Sequence, residues 1–200
     1  MSQYSVVPDV SQTLRDVLWT QMATDSSITP AILTDKDHIS LDPPFRLFKD
    51  DIPQANFLSV YLFRVLENAD LKNRPLRPNP APDYRYPPLT LNFYYLITPL
   101  TNSAENDQLL LGKAMQTFYD HAILDASELH GLLQTNAEEL RLSLTPCSLE
   151  DITKLWCAFL RPFRLSVSYE VCAVLLDSDR TTRVERVRRK RLEFEQIGAN

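Results

Sequence analysis

The stretch LTLNFYYLIT, residues 89–98, decides how this chain folds. Leu89, Leu91, Phe93, Tyr95 and Ile97 occupy alternate positions, the period of a strand with one face against a core. Upstream, FLSVYLFRVL (57–66) is rich in β-formers and apolar on both alternating sets apart from Ser59 and Arg64. That pattern predicts a strand covered on both faces. Between the two runs lie Pro75, Pro78, Pro80, Pro82, Pro87 and Pro88, six prolines in fourteen residues. Proline lacks an amide donor, so residues 71–88 read as a stiff extended loop, neither helix nor central strand.

Further out the period changes. Val10, Leu14, Val17, Leu18 and Met22 recur at helical spacing, with Asp9 read as the cap. Residues 28–51 read as irregular, with short extended pieces at 39–41 and 45–48. Downstream, Asn102 or Ser103 caps a helix whose buried stripe is Leu111, Ala114, Met115, Phe118 and Ala122. LRLSLT (140–145) alternates strictly and is a strand. Ser148-Leu149-Glu150-Asp151 is an acidic capping box, followed by Ile152, Leu155, Trp156 and Phe159 as a stripe that Pro162 stops. Residues 163–177 give the longest strand pattern, with Phe163, Leu165, Val167, Tyr169, Val171, Ala173 and Leu175 on one face. The order is helix, strands, helix, strand, helix, strand, arm. It predicts one α+β domain over 1–179, with helices packed on a largely antiparallel mixed sheet.

The end of the chain differs from everything before it. In RTTRVERVRRKRLEFEQ (180–196), Arg180, Arg183, Arg186, Arg188, Arg189, Lys190 and Arg191 are opposed only by Glu185 within twelve positions. Residues 180–191 carry +6, which leaves −11 for the rest of a chain whose net charge is −5. A nucleic-acid surface spreads its positive charge over a folded face, and this body repels a polyanion. As a strand the arm puts Val184, Arg186, Arg188, Lys190, Leu192 and Phe194 on one side; as a helix it aligns Val184, Val187, Arg191 and Phe194. The turn that follows a long strand favours the extended form. Residues 180–200 therefore read as a basic docking arm.

Chemistry is scarce. Three glycines against fourteen prolines leave few positions for a phosphate-cradling loop. Two hundred residues bury roughly 70% of their unfolded surface, enough to fold without a metal or disulfide staple. Cys147, Cys157 and Cys172 form an odd set without CxxC spacing and read as free, mostly buried thiols. His38, His121 and His130 lie in no ligand motif, and neither a nucleophile elbow nor a dinucleotide fingerprint occurs. The expectation is no enzyme, no cofactor and no metal. The first residues carry no basic-then-apolar leader and no run approaches ~20 apolar residues, so synthesis in the cytoplasm without a membrane partner is expected.

Four blocks, SVYLFRVLENADLKNRP, PPLTLNFYYLITPL, LLGKAMQTFYDH and LRLSLTPCSLEDITKLWCAFLRPFRLSVSYEVCAVLLDS, occur in this order within residues 56–179. Together they resemble the N-terminal domain of the cap, or tail-terminator, protein of extracellular contractile injection systems. These are the phage-tail-like particles of the antifeeding prophage and virulence cassette type. The resemblance implies a phage tail-terminator-like fold with extended arms and a homo-hexameric ring. That ring ends inner-tube and sheath polymerisation and holds the last sheath ring. Its implied partners are the contractile sheath protein and the inner tube protein, with no nucleic acid. Docking to sheath, tube or a neighbouring subunit falls to Arg180, Arg183, Val184, Arg186, Arg188, Arg189, Lys190, Arg191, Leu192 and Phe194. Arg74, Arg77, Tyr84, Arg85 and Tyr86 of the Pro-rich loop are expected between subunits. The alternative reading is a nucleic-acid-binding accessory protein that uses the basic arm.

Overall fold

The computed structural model describes residues 4–49, 52–72, 77–78, 83–136 and 139–183. Its helices are α1 (Val6–Met22), α2 (Ala104–Asp120) and α3 (Leu149–Ala158). The strands of its first half are β1 (Ile39–Ser40), β2 (Phe48–Lys49), β3 (Ile52–Pro53), β4 (Phe57–Glu67), β5 (Arg77–Pro78) and β6 (Asp83–Arg85). Those that follow are β7 (Leu89–Leu100), β8 (Ile123–Leu124), β9 (Leu140–Thr145), β10 (Val167–Leu176) and β11 (Thr181–Arg183). The main sheet runs β1-β4-β7-β10-β9-β8, antiparallel except where β1 joins β4. Residues 89–98 thus lie in a central strand. The expected α+β fold with a largely antiparallel mixed sheet is what forms.

One face of the sheet is the core. Phe93, Tyr95 and Ile97 of β7 lie beside Leu58 and Val60 of β4 and Val171 of β10, all fully buried. Val6, Val10, Leu14, Leu18 and Met22 of α1 and Leu110, Ala114 and Phe118 of α2 close over them. The Tyr95 hydroxyl meets Ser11 Oγ of α1 at 2.8 Å, so the polar tip of a buried ring has its partner. Ser103 caps α2 by accepting the Asn106 amide, and Ser148 caps α3 by accepting that of Asp151.

Four local expectations are corrected. Helix α1 starts at Val6, not after Asp9, because Pro8 sits in the first turn, where an amide needs no helical partner. Asp9 instead accepts the Leu132 amide at 3.1 Å. Residues 44–47 form a 3-10 turn before β2, not an extended piece. Strand β4 is covered on both faces only in its first half; Arg64, Val65 and Leu66 are exposed, since the strand outruns its covering helices. Strand β10 begins at Val167, leaving Phe163 and Leu165 half-exposed before it. Its register slips between Val171 and Val174, so a bulge passes burial to Val174 and breaks the alternation expected through Ala173 and Leu175.

Candidate docking surfaces

The two segments singled out for docking meet. Thr181, Thr182 and Arg183 pair antiparallel with Arg85, Tyr84 and Asp83, while Arg77 and Pro78 pair with Arg85 and Tyr84. The result is a second, three-stranded sheet ordered β11-β6-β5. The root of the arm is therefore extended, as expected. The Pro-rich loop, however, contributes a middle strand, which its composition argued against. Asp83, Tyr84 and Arg85 form that strand between flanking prolines, and Pro78 falls on the edge strand, where a missing donor is tolerated.

At the junction the Tyr86 amide donates to the Arg180 carbonyl at 3.2 Å. The Arg180 guanidinium stands 4.5 Å from the Tyr86 ring centre. A cation over an aromatic face in this exposed setting contributes about 0.5–1 kcal/mol. A groove of about 440 Å³ lies beside this junction, with Asn68, Tyr86, Thr90, Asp177 and Arg180 in its lining. Of the expected docking residues, Arg180 and Tyr86 are thus brought together, and Arg77, Tyr84, Arg85 and Arg183 stand on neighbouring strands. Arg74, Val184, Arg186, Arg188, Arg189, Lys190, Arg191, Leu192 and Phe194 lie outside the described residues.

Sequence reasoning missed a polar network on the sheet face opposite α1. One oxygen of Glu170 on β10 accepts from the Tyr94 hydroxyl and from Asn92 Nδ2 of β7, each at 2.7 Å. Asn68, just past β4, donates to Asn92 Oδ1 at 2.9 Å. The network therefore spans three adjacent strands. Burial pushes the Tyr94 phenol up, and the Glu170 carboxylate that accepts its hydrogen bond adds to the rise. A signal was present in the alternation: Asn92, Tyr94 and Glu170 are polar positions on strands whose partners are apolar. These bonds fix the register of β7 against β10.

The histidines are tied into the fold. His121 ends α2 and its Nδ1 donates to Glu128 at 2.7 Å. His130 Nδ1 lies 3.5 Å from Asp16, and His38 Nδ1 accepts the Thr34 amide at 3.1 Å. Among the described residues no three His, Cys, Asp or Glu side chains could hold a metal ion. Nor is any described helix long and apolar enough to cross a membrane. The cysteines correct the expectation of mostly buried thiols: Cys147 and Cys172 are half-buried and Cys157 is exposed. Cys157 follows Trp156, the one residue of α3 that is fully buried, and a helix turns ~100° per residue, which carries the thiol outward. Burial pushes the Cys147 and Cys172 thiols up.

Exposed apolar side chains also lie toward both margins of the main sheet: Leu160, Phe163 and Phe45 near the end of α3, where Phe163 and Phe45 keep ring contacts with Trp156 and Phe159, and Tyr119, Ile123 and Leu144 by α2 and β9.

The profile of the Pvc16 N-terminal domain matches residues 9–190. The chain belongs to this family. The match extends past the blocks at 56–179 to take in α1. No curated protein matches the chain. Two cryo-EM structures share the fold. One is a sheath/tube terminator of an extracellular contractile injection system, PVC, in its extended state, with a TM-score of 0.66 at 17% identity. The other is the anti-feeding prophage cap, a tube-terminating cap, with a TM-score of 0.61 at 15% identity. The matches cover 99% and 94% of this chain, which spans 65% and 61% of their own lengths, less than two-thirds of each. The phage tail-terminator-like fold implied by the sequence blocks is thereby shown.

Proposed function

We propose that this chain caps a contractile injection system, ending the polymerisation of its inner tube and sheath as a ring of six copies. The observation that carries the reading is the likeness to two terminators over nearly the whole chain, together with the family match. The partners are the contractile sheath protein and the inner tube protein, and the chain is a component of a phage-tail-like particle. Its role is structural, in keeping with the half-buried Asn92, Tyr94 and Glu170, whose hydrogen bonds tie β7 to β10.

The arm extends this reading. Its root is held by β6 and by the Arg180–Tyr86 contact, and the charge of the basic run that follows in the sequence suits acidic faces at the end of the sheath or tube. Val184, Leu192 and Phe194 supply apolar contacts once it arrives. The test is particle assembly without this chain, viewed by electron microscopy. Tubes and sheaths of uncontrolled length are expected, and particles of normal, uniform length would overturn the proposal.

A further inference from the structure

We propose that the tip of the C-terminal arm, Leu192-Glu193-Phe194-Glu195, docks in the free subunit into a groove between α3 and the main sheet of its own chain. The contact lies within one chain and is tested on the isolated chain. Only its release, when the basic run meets sheath or tube, rests on the terminator reading.

The groove is what α3 leaves open. A hollow of about 410 Å³ lies between this helix and the sheet, with Phe63, Leu96, Ile152 and Leu155 in its lining. Ile152 and Leu155 are only half-buried, and Trp156 is the one residue of α3 that the fold buries fully. Thr145 also lines the hollow; its hydroxyl oxygen is screened from water and has no hydrogen-bond partner. A polar group left in that state is costly, and a peptide carbonyl laid along the groove would satisfy it. Arg64 stands at the same groove, its guanidinium 5.7 Å from the Tyr94 ring centre, and no carboxylate among the described residues pairs with it. The other charges of the lining are engaged: Asp151 accepts from Ser148 Oγ at 2.6 Å, and Lys154 meets Glu150 at 2.6 Å.

Charge selects the occupant. The groove suits apolar side chains that arrive with a carboxylate. Residues 186–191 are basic and are repelled by Arg64. The next four residues invert that pattern: Leu192 and Phe194 alternate with Glu193 and Glu195, the only acidic residues after Glu185. Laid down extended, the tip puts Leu192 and Phe194 into the hollow and leaves the two carboxylates at its mouth, against Arg64. Reach is sufficient. Arg180 and Glu67 line one groove, and Arg64 precedes Glu67 by three residues of β4, about 10 Å. Residues 184–191 span up to roughly 26 Å when extended, enough to turn back along β11 and bring the tip to Arg64. Held there, Leu192 and Phe194 are covered until the arm finds its partner.

The groove carries its own reporter. Cys147 is half-buried in the lining, and Cys172, half-buried on β10, is the internal control. The test follows the rate at which a maleimide modifies each thiol in the isolated full-length chain, read by mass spectrometry of the peptides. Leu192→Ser with Phe194→Ser should speed modification of Cys147 about tenfold and leave Cys172 unchanged, since losing the burial of one large apolar side chain accounts for at least that factor. An unchanged rate at Cys147 would overturn the contact, as would an equal rise at both thiols, which would assign the tip to the fold at large. Arg64→Glu should expose Cys147 in the same way, and adding Glu193→Arg and Glu195→Arg should restore its protection. Failure to restore it would remove the charge pairing that selects this occupant. Finally, Phe194→Cys in a Cys157→Ser background, oxidised at high dilution, should form a disulfide to Cys147 within one chain. Disulfide-linked dimers in its place would overturn docking on the chain's own groove. None of these results bears on whether the chain terminates a particle.

Discussion

The two faces of the main sheet are built for different purposes. Toward α1 and α2, strands β4, β7 and β10 present Leu58, Val60, Phe93, Tyr95, Ile97 and Val171, all inside one apolar cluster. Toward α3 the same strands present Ser59, Thr98 and Ser168, buried but polar, and then the Glu170 network. Hydroxyls are mixed with hydrocarbon there, beside the buried Leu96 and Leu100: Thr98 and Ser166 meet at 3.0 Å, and Ser59 donates to the Asp42 carbonyl at 2.8 Å. Burying a satisfied hydroxyl contributes little, whereas each large apolar side chain buried contributes roughly 1.5–3 kcal/mol. Stability thus resides on the α1 face, and the α3 face is left to present Leu149, Leu160 and Phe163 to its surroundings.

The largest effect that distinguishes the faces should come from Phe93→Ala. Phe93 is fully buried at the centre of the α1 face, so the loss should be about 3–5 kcal/mol, read from urea unfolding of the isolated domain. A loss below ~1 kcal/mol would show that this face is not the core and would undo the comparison.

Alkaline pH sharpens it. Burial pushes the Tyr95 phenol far up on the α1 face, with the Ser11 hydroxyl bond only partly opposing it. Tyr94, on the other face, is raised less steeply by burial and by Glu170. The folded state therefore keeps these protons where the unfolded chain has lost them. Stability is complete below the ordinary phenol value of 10.0 and falls as pH rises beyond it. The half-buried Cys147 and Cys172 thiols act in the same direction from their ordinary value of 9.0. Each such group contributes at most about 1.4 kcal/mol per pH unit. Tyr95→Phe should flatten the slope above pH 10 more than Tyr94→Phe does, measured by denaturation at stepped pH. Equal flattening would mean the two phenols are equally buried.

Much of the α1 face was legible because it follows simple periods. The stripe Val10, Leu14, Val17, Leu18 and Met22 and the alternation Phe93, Tyr95, Ile97 are each one face of a regular element, and each is buried. What escaped depends on partners remote in sequence. The bulge at 171–174 is set by pairing with β7, and no local pattern announces it. Exposure of Arg64, Val65 and Leu66 depends on where covering helices end. The pairing of 181–183 with 83–85 joins residues almost a hundred positions apart, and proline content concealed the short proline-free run between. The residues expected to dock stood out by charge and aromatic content, but only the sheet showed that loop and arm share one base.

The smallest expected effect is the most discriminating. Leu149 opens α3 just after the Ser148 cap and is 71% exposed, so Leu149→Ser removes little buried surface and leaves the cap bond to Asp151 intact. Its unfolding free energy should stay within about 0.5 kcal/mol of the native chain. The reasoning is quantitative: α3 has one fully buried side chain, Trp156, whose ring meets Phe159 and Phe163 at 5.6 and 6.5 Å. If α3 is held by that anchor and its caps, its outer apolar residues are free to vary without cost to the fold. A loss above ~1 kcal/mol at Leu149 would mean that α3 packs as a second core, and the two faces would no longer differ in kind.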